Sequence, residues 1–463
     1  MKMRLFCLRL SLKFLQSVKK FIQTLKNIWS IDELRSKILV TLLLIAIYRL
    51  GTHIALPGID PNKLPSSGGG EGILGLIDAF AGGAFSQASI LALGIMPYIS
   101  ASIFMQLMTI LYPPFQKLQK EGDSGRKKIN QYTRFLTVIV AALQASAYVA
   151  YLNSPGYKEA IITSYNDWFY LSTTIVLTAG TLFVMWLGER ITDKGLGNGS
   201  SVIIMVGILA RLPESLVQEF NSVTTKYSGG GGLLLFVIRV AILVGIIMGL
   251  IILIQGVRKI PVQYAKQIVG NRQFGGARQF LPIKVNSAGV MPIIFAQAIM
   301  FLPTLIAKFE TTQGLAKIFN DHSNYWYMLI YAIMVIGFTF LYTALIFNPK
   351  QIADDLKRNN GFIPGVKPGQ PTADYIGAIM DRITLPGAVL LAFVGILPGF
   401  AQRLGVQQSF STFFGGTSLL IMVGVILDTL QQIETQLLMR QYDGLMKSGR
   451  IQGRQNSSSP VSM

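Results

Sequence analysis

The sequence predicts an all-α, multi-pass membrane protein. Of its 463 residues, 51% are hydrophobic and 14% are charged, which leaves too little polar surface for a soluble globule of this length. Apolar stretches of about 20 residues, the length that crosses a bilayer, recur along the whole chain. Lys and Arg concentrate in alternate loops, as they do in the cytoplasmic loops of membrane proteins, so topology accounts for the formal charge of +19. We therefore expect both termini to be cytoplasmic.

The apolar stretches define ten predicted spans, which we number in chain order. They cover about 37–56, 87–110, 133–152, 168–188, 199–217, 232–256, 287–307, 326–347, 383–402 and 413–437. Ahead of them, residues 1–30 place apolar side chains at three- and four-residue spacing between lysines, which is typical of a basic amphipathic helix on a membrane surface. Charges interrupt its apolar stretches and disfavour a secretory signal peptide, whereas an organellar transit peptide stays open. Residues 441–463 are predicted to form a cytoplasmic tail.

Several classes of site have no support in the sequence. Cys7 is the sole cysteine and the histidines, His53 and His322, stand far apart, so neither a disulfide nor a metal-ligand spacing is present. The chain also lacks a phosphate-binding Gly-rich loop and a nucleophile elbow. We expect no cofactor and no enzymatic activity, so any energy used must come from a partner or a gradient.

Two spans carry the same interruption at corresponding places in the chain. Gly94-Ile95-Met96-Pro97 in the second span is repeated as Gly289-Val290-Met291-Pro292 in the seventh. Paired, Gly/Pro-interrupted spans in a protein with internal repeats indicate where a substrate passes. Before the second span, residues 72–80 are apolar yet too short to cross, so this piece is either re-entrant or interfacial.

The spans hold few charged groups, which distinguishes them from those of ion and proton carriers. Arg49 and Arg239 lie toward the outer span ends, where we expect them to extend to the interface. Three glutamines, Gln106, Gln144 and Gln297, sit within spans two, three and seven. They have two interpretations: hydrogen bonds between helices, or a polar seam that keeps an opening between spans only marginally closed.

Several separated motifs resemble the SecY family of bacterial protein-translocation channels, over about residues 30–450. They are Gly58-Ile59-Asp60, residues 92–102 (ALGIMPYISAS), residues 185–189 (MWLGE), residues 195–200 (GLGNGS), Phe347-Asn348-Pro349, residues 362–365 (FIPG) and residues 415–421 (GGTSLLI). The resemblance implies two five-helix halves of inverted topology, at 31–220 and 221–440. It also implies a lateral gate to the lipid between spans two and seven, with Pro97, Pro292 and the three glutamines along it.

The resemblance further assigns the parts that close such a channel. A plug helix at about 73–83 is implied, with Ile73, Leu74, Leu76, Ile77, Phe80, Gly82 and Gly83. The pore ring maps onto Ile95, Ile99, Ser200, Ile204, Ile294 and Ile421. A collar of isoleucines holds back ions by dewetting and accepts chains of different girth. Ser200 departs from the family pattern, in which we expect Ile.

Partners and location are likewise implied by the resemblance. Loops 257–286 and 348–382 are expected to receive the SecA motor or the ribosome through Arg258, Lys259, Arg272, Arg278, Lys357, Arg358 and Lys367. Lys367 stands where the family pattern has Arg, which keeps the charge and loses the fork geometry. SecE is expected to clamp the halves and SecG to bind peripherally, while signal-bearing unfolded polypeptides are the substrate and no nucleic acid beyond the ribosome is bound.

We therefore predict a subunit of a bacterial plasma (inner) membrane channel that also releases hydrophobic segments into lipid. An organellar membrane stays open. The main alternative is a secondary transporter or ion channel for small solutes, which broken helices favour and the missing charged site disfavours. A scaffold without a pore fits neither the short segment before span two nor the gate glycines.

Overall fold

A computed structural model describes residues 29, 31–64, 78, 80–153, 160–162, 167–226, 231–264, 267–269, 272–274, 278–306 and 324–447. The chain forms two compact units. One comprises Met1–Gly51, Phe183–Ile203 and Val425–Met463, and the other comprises Thr52–Leu182 and Ile204–Gly424. The predicted halves at 31–220 and 221–440 stay a prediction. The extension at 1–30, apart from Trp29, and most of the tail at 441–463 lie outside the described residues.

Helices dominate both units. They are α1 (Asp32–Thr52), α2 (Met96–Leu111), α3 (Pro113–Lys120), α4 (Asp123–Leu152), α5 (Asp167–Lys194), α6 (Gly199–Lys226), α7 (Gly231–Gln255), α8 (Met291–Ile306), α9 (Tyr325–Ile346), α10 (Pro349–Arg358), α11 (Gln370–Arg403), α12 (Gln408–Ser411) and α13 (Gly416–Lys447). Short 3-10 turns cover Pro61–Lys63 and Thr412–Phe414. Each of the ten predicted spans overlaps one helix, so the helical membrane-protein class is confirmed.

Within the described part of the chain, 7 helices are long and apolar enough to cross a membrane. They contain predicted spans three to six and eight to ten. The other three predicted spans correspond to α1, which carries charged residues, and to α2 and α8, with 16 residues each. The sixteen residues of α2 reach about 24 Å, less than the roughly 30 Å of a hydrocarbon core. Helices α2 and α8 are the ones that begin at the repeated Gly-x-Met-Pro motif.

The second predicted span begins later than expected. Residues 82–95 are turns, and the helix starts only at Met96. Gly82, Gly83 and Gly94 take φ values of 65°, 92° and 53°, a left-handed conformation that glycine adopts without steric cost and that breaks a helix. Backbone bonds from Leu56 N to Ala88 O and from Ile90 N to Ile54 O, both 2.9 Å, tie this turn segment to the end of span one.

Five strands lie outside the helical spans, where the sequence predicted only loops. They are β1 (Val257–Tyr264), β2 (Gln267–Val269), β3 (Arg272–Phe274), β4 (Arg278–Lys284) and β5 (Gly361–Phe362). The central β1 pairs antiparallel with β4 and with β5. Along β1, buried Ile260 and Val262 alternate with exposed Lys259 and Pro261, and this period of two is the pattern of a half-buried strand.

Candidate functional site

The repeated motif gives two helices the same start. Helices α2 and α8 both begin at the methionine of Gly-x-Met-Pro, which places Pro97 and Pro292 in the first turn, where their missing N–H groups are not needed. The preceding glycines, Gly94 and Gly289, have φ values of 53° and 64°. The twin motif therefore acts as a helix start after a left-handed turn in both places.

Two of the three predicted gate glutamines bond to other spans. The Tyr342 hydroxyl of α9 donates to Gln106 Oε1 of α2 across 3.0 Å. The Thr417 hydroxyl of α13 donates to Gln297 Oε1 of α8 across 3.4 Å. Gln144 lies half-buried on α4, the helix that packs against α2. The interpretation as interhelical bonds is thus met at Gln106 and Gln297, while their role in a gate stays a prediction.

The predicted pore-ring residues occupy four helices and one turn. Ile95, Ile204 and Ile421 are buried, and Ile99 and Ile294 are half-buried. Ser200 lies in the first turn of α6, and its hydroxyl donates to Asn198 Oδ1 across 2.6 Å. Asn198 Oδ1 also accepts from Ser200 N at 3.2 Å and so satisfies a backbone N–H at the helix start. Membership of a ring stays a prediction for all six residues.

Only the C-terminal end of the predicted plug lies within the described residues. Ile73, Leu74, Leu76 and Ile77 fall outside them, whereas Phe80 is buried and Gly82 and Gly83 form a left-handed turn. Helix α6 approaches this end closely, because a Cβ on Gly207 would stand 2.6 Å from Phe80 O. Tyr148 of α4 donates to Phe85 O across 2.7 Å and fixes the turn from the other side.

A charged residue that sequence reasoning missed lies at this plug end. Asp78 is fully buried, pairs through Oδ2 with Arg211 Nη2 of α6, and accepts from Ser86 N at 2.8 Å through Oδ1. Arg211 Nη2 also donates to Ser86 Oγ at 3.0 Å. Burial raises the pKa of the Asp78 carboxyl above its ordinary value, and Arg211 and Ser86 oppose that rise. An acid within an otherwise apolar, short segment was the signal for such a pair.

A second ion pair corrects the expectation that Arg239 reaches the membrane surface. Arg239 of α7 is 8% exposed and pairs through Nη1 with the fully buried Glu219 Oε1 of α6. Its Nη2 donates to Leu404 O and Gly405 O at 3.2 and 3.1 Å. Glu219 Oε2 accepts from Gln407 N at 2.9 Å. The guanidinium turns inward, and not toward the membrane surface, because a buried carboxylate and two carbonyls at a helix end lie within bonding distance there.

The two loops predicted to receive partners form one structure. Strand β5 from loop 348–382 pairs with β1 from loop 257–286, and both pack on a core of Ile260, Val262, Ile283, Leu356, Ile363, Ile376 and Met380. Arg258, Lys259, Lys357, Arg358 and Lys367 are exposed around it. Arg272 and Arg278 lie on β3 and β4, and the side chains there are outside the described residues. We call these seven positions the basic surface.

Metal chemistry finds no support in this part of the molecule. Among the described residues, no three His, Cys, Asp or Glu side chains come together in a group that could hold a metal ion. The charged groups that do meet are instead paired with opposite charges, as Asp78 with Arg211 and Glu219 with Arg239.

Comparison with known proteins agrees with this architecture. The sequence profile of SecY matches residues 89–430. The chain belongs to the SecY family. The Protein translocase subunit SecY of Streptomyces scabiei is 42% identical over 433 residues, covering 90% of this chain and 97% of that protein. The subunit of the same name from Chlamydia trachomatis is 41% identical over 454 residues, covering 93% and 99%.

Solved structures share the SecY fold at low sequence identity. A structure described as that of a protein conducting channel has a TM-score of 0.60 at 14% identity, covering 91% of this chain and 95% of that one. A second structure, of a SecY protein whose plug domain is described as stabilising the closed state and maintaining a membrane seal, has a TM-score of 0.56 at 14% identity and covers the same shares of the two chains. Sec61 in a canine ribosome-channel complex gives 0.57 at 13% and again the same shares. At these identities the likeness shows the fold alone.

Proposed function

We propose that this chain is the central, protein-conducting subunit of a Sec translocase, passing unfolded polypeptides across a membrane. The observation that carries the proposal is SecY-family membership over most of the chain, with curated relatives named as translocase subunits. Physics requires such a path, because a polypeptide crossing bare lipid would leave each backbone amide unpaired at a cost of several kcal/mol. The small-solute transporter is not supported by relatives of that name.

The twin helices α2 and α8 form the two sides of the proposed lateral gate. Both begin after a left-handed turn. A hydrophobic segment beside an open gate gains by leaving for lipid, since each Leu, Ile, Phe or Val favours insertion by about 0.3 to 0.6 kcal/mol. One Lys or Asp opposes it by about 2.5 to 3.5 kcal/mol. One channel thereby both secretes and inserts.

The proposed seal combines the isoleucine ring with the plug. The related SecY whose plug is described as maintaining a membrane seal supports a plug at 73–83 in this chain. The ring assignment of Ile95, Ile99, Ser200, Ile204, Ile294 and Ile421 rests on position in the family pattern. Dewetting between apolar side chains would block ions in the resting channel while leaving it indifferent to the sequence of the substrate.

Partners approach the basic surface in this proposal. The ribosome is supported by the ribosome-bound Sec61 structure that shares the fold. The SecA motor, SecE and SecG are proposed on the family pattern alone, as are the bacterial inner membrane and cytoplasmic termini. The motor would supply the energy, so the chain itself needs no catalytic chemistry and no cofactor.

Reconstitution tests the proposal. The chain, with Cys7 changed to Ser, is placed in proteoliposomes with SecE, SecG and SecA, and a signal-bearing precursor is scored by protease protection. We expect ATP-dependent protection that stops when cysteines placed on α2 and α8 are oxidised to a disulfide and resumes after reduction. Single-cysteine variants treated with the same oxidant are the control. Translocation that continues through the locked pair would show that α2 and α8 are not the gate.

A further inference from the structure

An ion pair lies at the C-terminal end of the proposed plug. We call Asp78, Ser86 and Arg211 the latch. Asp78 is 0% exposed and Arg211 is 22% exposed, so the carboxylate has lost its water while the guanidinium keeps some. Gly83 N donates to Asp78 O at 3.0 Å, and Ser86 Oγ donates to Gly83 O at 3.1 Å. Arg211 of α6 thus contacts both Asp78 and Ser86.

The space around the guanidinium is fitted to it. A Cβ on Gly83 would stand 3.3 Å from Arg211 Nη2, and the φ of 92° at Gly83 already disfavours any other residue. One further charge, Glu214 on the next turn of α6, lies near enough to act unfavourably on the Asp78 carboxylate. Arg211 is therefore the cation that faces Asp78 in the described surroundings.

We propose that Arg211 is the positioning residue that holds the plug closed, by neutralising the buried Asp78 carboxylate. The inference rests on the proposed function, since it needs a channel with a plug. An ion pair suits this task because the cost of desolvating its charges nearly cancels their attraction, so the closed state is only slightly lower in free energy than the open state. When a substrate moves residues 78–86 outward, both charges regain water, and the plug is not drawn back immediately.

Charge rescue tests the latch. In planar bilayers, Arg211→Ala leaves an unpaired buried carboxylate, and we expect the resting ion leak to rise about tenfold or more. Asp78→Asn removes the buried charge that Arg211 neutralises and leaves an arginine that is already partly exposed, so by itself it should change the leak little. The double variant Arg211→Ala with Asp78→Asn should return to the wild-type leak. Arg211→Lys, which retains the cation, should leak less than Arg211→Ala.

The pH dependence of the leak shows whether the plug end is retained by electrostatic interactions or by steric contact alone. Lowering the pH protonates Asp78, so the leak of Arg211→Ala should fall toward the wild-type value while that of Arg211→Ala with Asp78→Asn stays constant. A double variant as leaky as Arg211→Ala, together with a leak insensitive to pH, would overturn the proposal. Precursor export by the same preparations is measured in parallel. If wild type exports and Arg211→Ala does not leak, the latch fails; if wild type exports nothing, the proposed function fails.

Discussion

Two buried ion pairs lie about two turns apart on α6 and hold different parts of the molecule. The latch joins α6 to the plug end, and its arginine is 22% exposed. The second pair, Glu219 with Arg239, joins α6 to α7 and to the turn at residues 404–407, and its side chains are 0% and 10% exposed. We call this second set the clamp. The clamp is drier and has more partners than the latch.

The difference in bonding partners indicates which of the two ion pairs separates more easily. In the clamp, the guanidinium also bonds two carbonyls at the end of α11, and the carboxylate also bonds Gln407 N. Gly405, with φ of 78°, ends that helix in the left-handed turn that exposes those carbonyls. Separating the clamp would leave several buried polar groups unpaired at once. Separating the latch frees a short segment, and its arginine is already partly solvated.

The largest effect we expect comes from breaking the clamp. Glu219→Ala leaves Arg239 charged and buried, so the free energy of unfolding should fall by about 3 to 5 kcal/mol. The matched control is Glu214→Ala on the same helix, which removes an exposed acid and should cost about 1 kcal/mol or less. Thermal unfolding in detergent compares the two. Equal stability of these variants would show that the clamp is no more important than a surface charge.

A pH dependence is expected of the latch and arises from Asp78. Burial raises the pKa of its carboxyl in the closed state, against the opposing effect of Arg211. The closed state therefore binds a proton more tightly than the released, solvated state. That contribution is fully present below the ordinary carboxyl pKa, and it is lost as the pH rises through the raised value. The wild-type resting leak should increase with pH across this window.

The comparison for that measurement is the ratio of the wild-type leak to the Asp78→Asn leak at each pH. Asparagine does not titrate, so the ratio isolates the carboxyl at position 78 from all other titrating groups. A ratio that does not change with pH would mean that Asp78 has the same pKa in the closed and released states.

The positions of the spans could be predicted from the sequence because the apolar length of each span is a local property of the chain. Apolar length placed a helix at each of the ten predicted spans, although the start of the second was predicted too early, because the turns that precede Met96 are apolar as well. The strands within loop 257–286 were not predicted. β1 pairs with β4 over residues 257–263 and β2 pairs with β3, whereas β5, from loop 348–382, pairs only with Gln263 and Tyr264 and lies outside any local window.

The ion pairs escaped prediction for the same reason. Arg211 and Asp78 are far apart in sequence, and each resembles an ordinary charge near a membrane surface. Arg239 was expected to extend outward. It turns inward because Glu219 and the carbonyls at the end of α11 bind it, and the sequence alone does not show that these groups come together.

A smaller effect is expected at the gate. Tyr342→Phe removes the donor to Gln106 and so one bond between α2 and α9. Such bonds are worth about 0.6 kcal/mol on average, so export of a precursor with a weakened signal should rise about threefold. Tyr375→Phe, at an exposed tyrosine near the start of α11, is the control and should change nothing. Unchanged export in Tyr342→Phe would mean that this bond does not oppose gate opening.

The smallest expected effect concerns Ser200, because its hydroxyl is already occupied. The 2.6 Å bond to Asn198 Oδ1 leaves the oxygen as an acceptor only, which weakens but does not abolish its attraction for water within a hydrophobic collar. Ser200→Ile should therefore lower the leak of a channel lacking residues 73–83 modestly, and should leave the intact channel unchanged.

Ser200→Ala separates the two physical contributions of that substitution. Alanine removes the hydroxyl without enlarging the side chain, whereas isoleucine removes the hydroxyl and enlarges the side chain. In either variant the backbone N–H of residue 200 can still donate to Asn198 Oδ1. If wetting controls the leak, both variants should lower it in the plug-deleted channel; if the width of the collar controls it, only isoleucine should. Planar-bilayer conductance of each variant, with and without residues 73–83, distinguishes these outcomes. A leak unaltered by either substitution in the plug-deleted channel would place Ser200 outside the pore ring and leave the collar to the isoleucines alone.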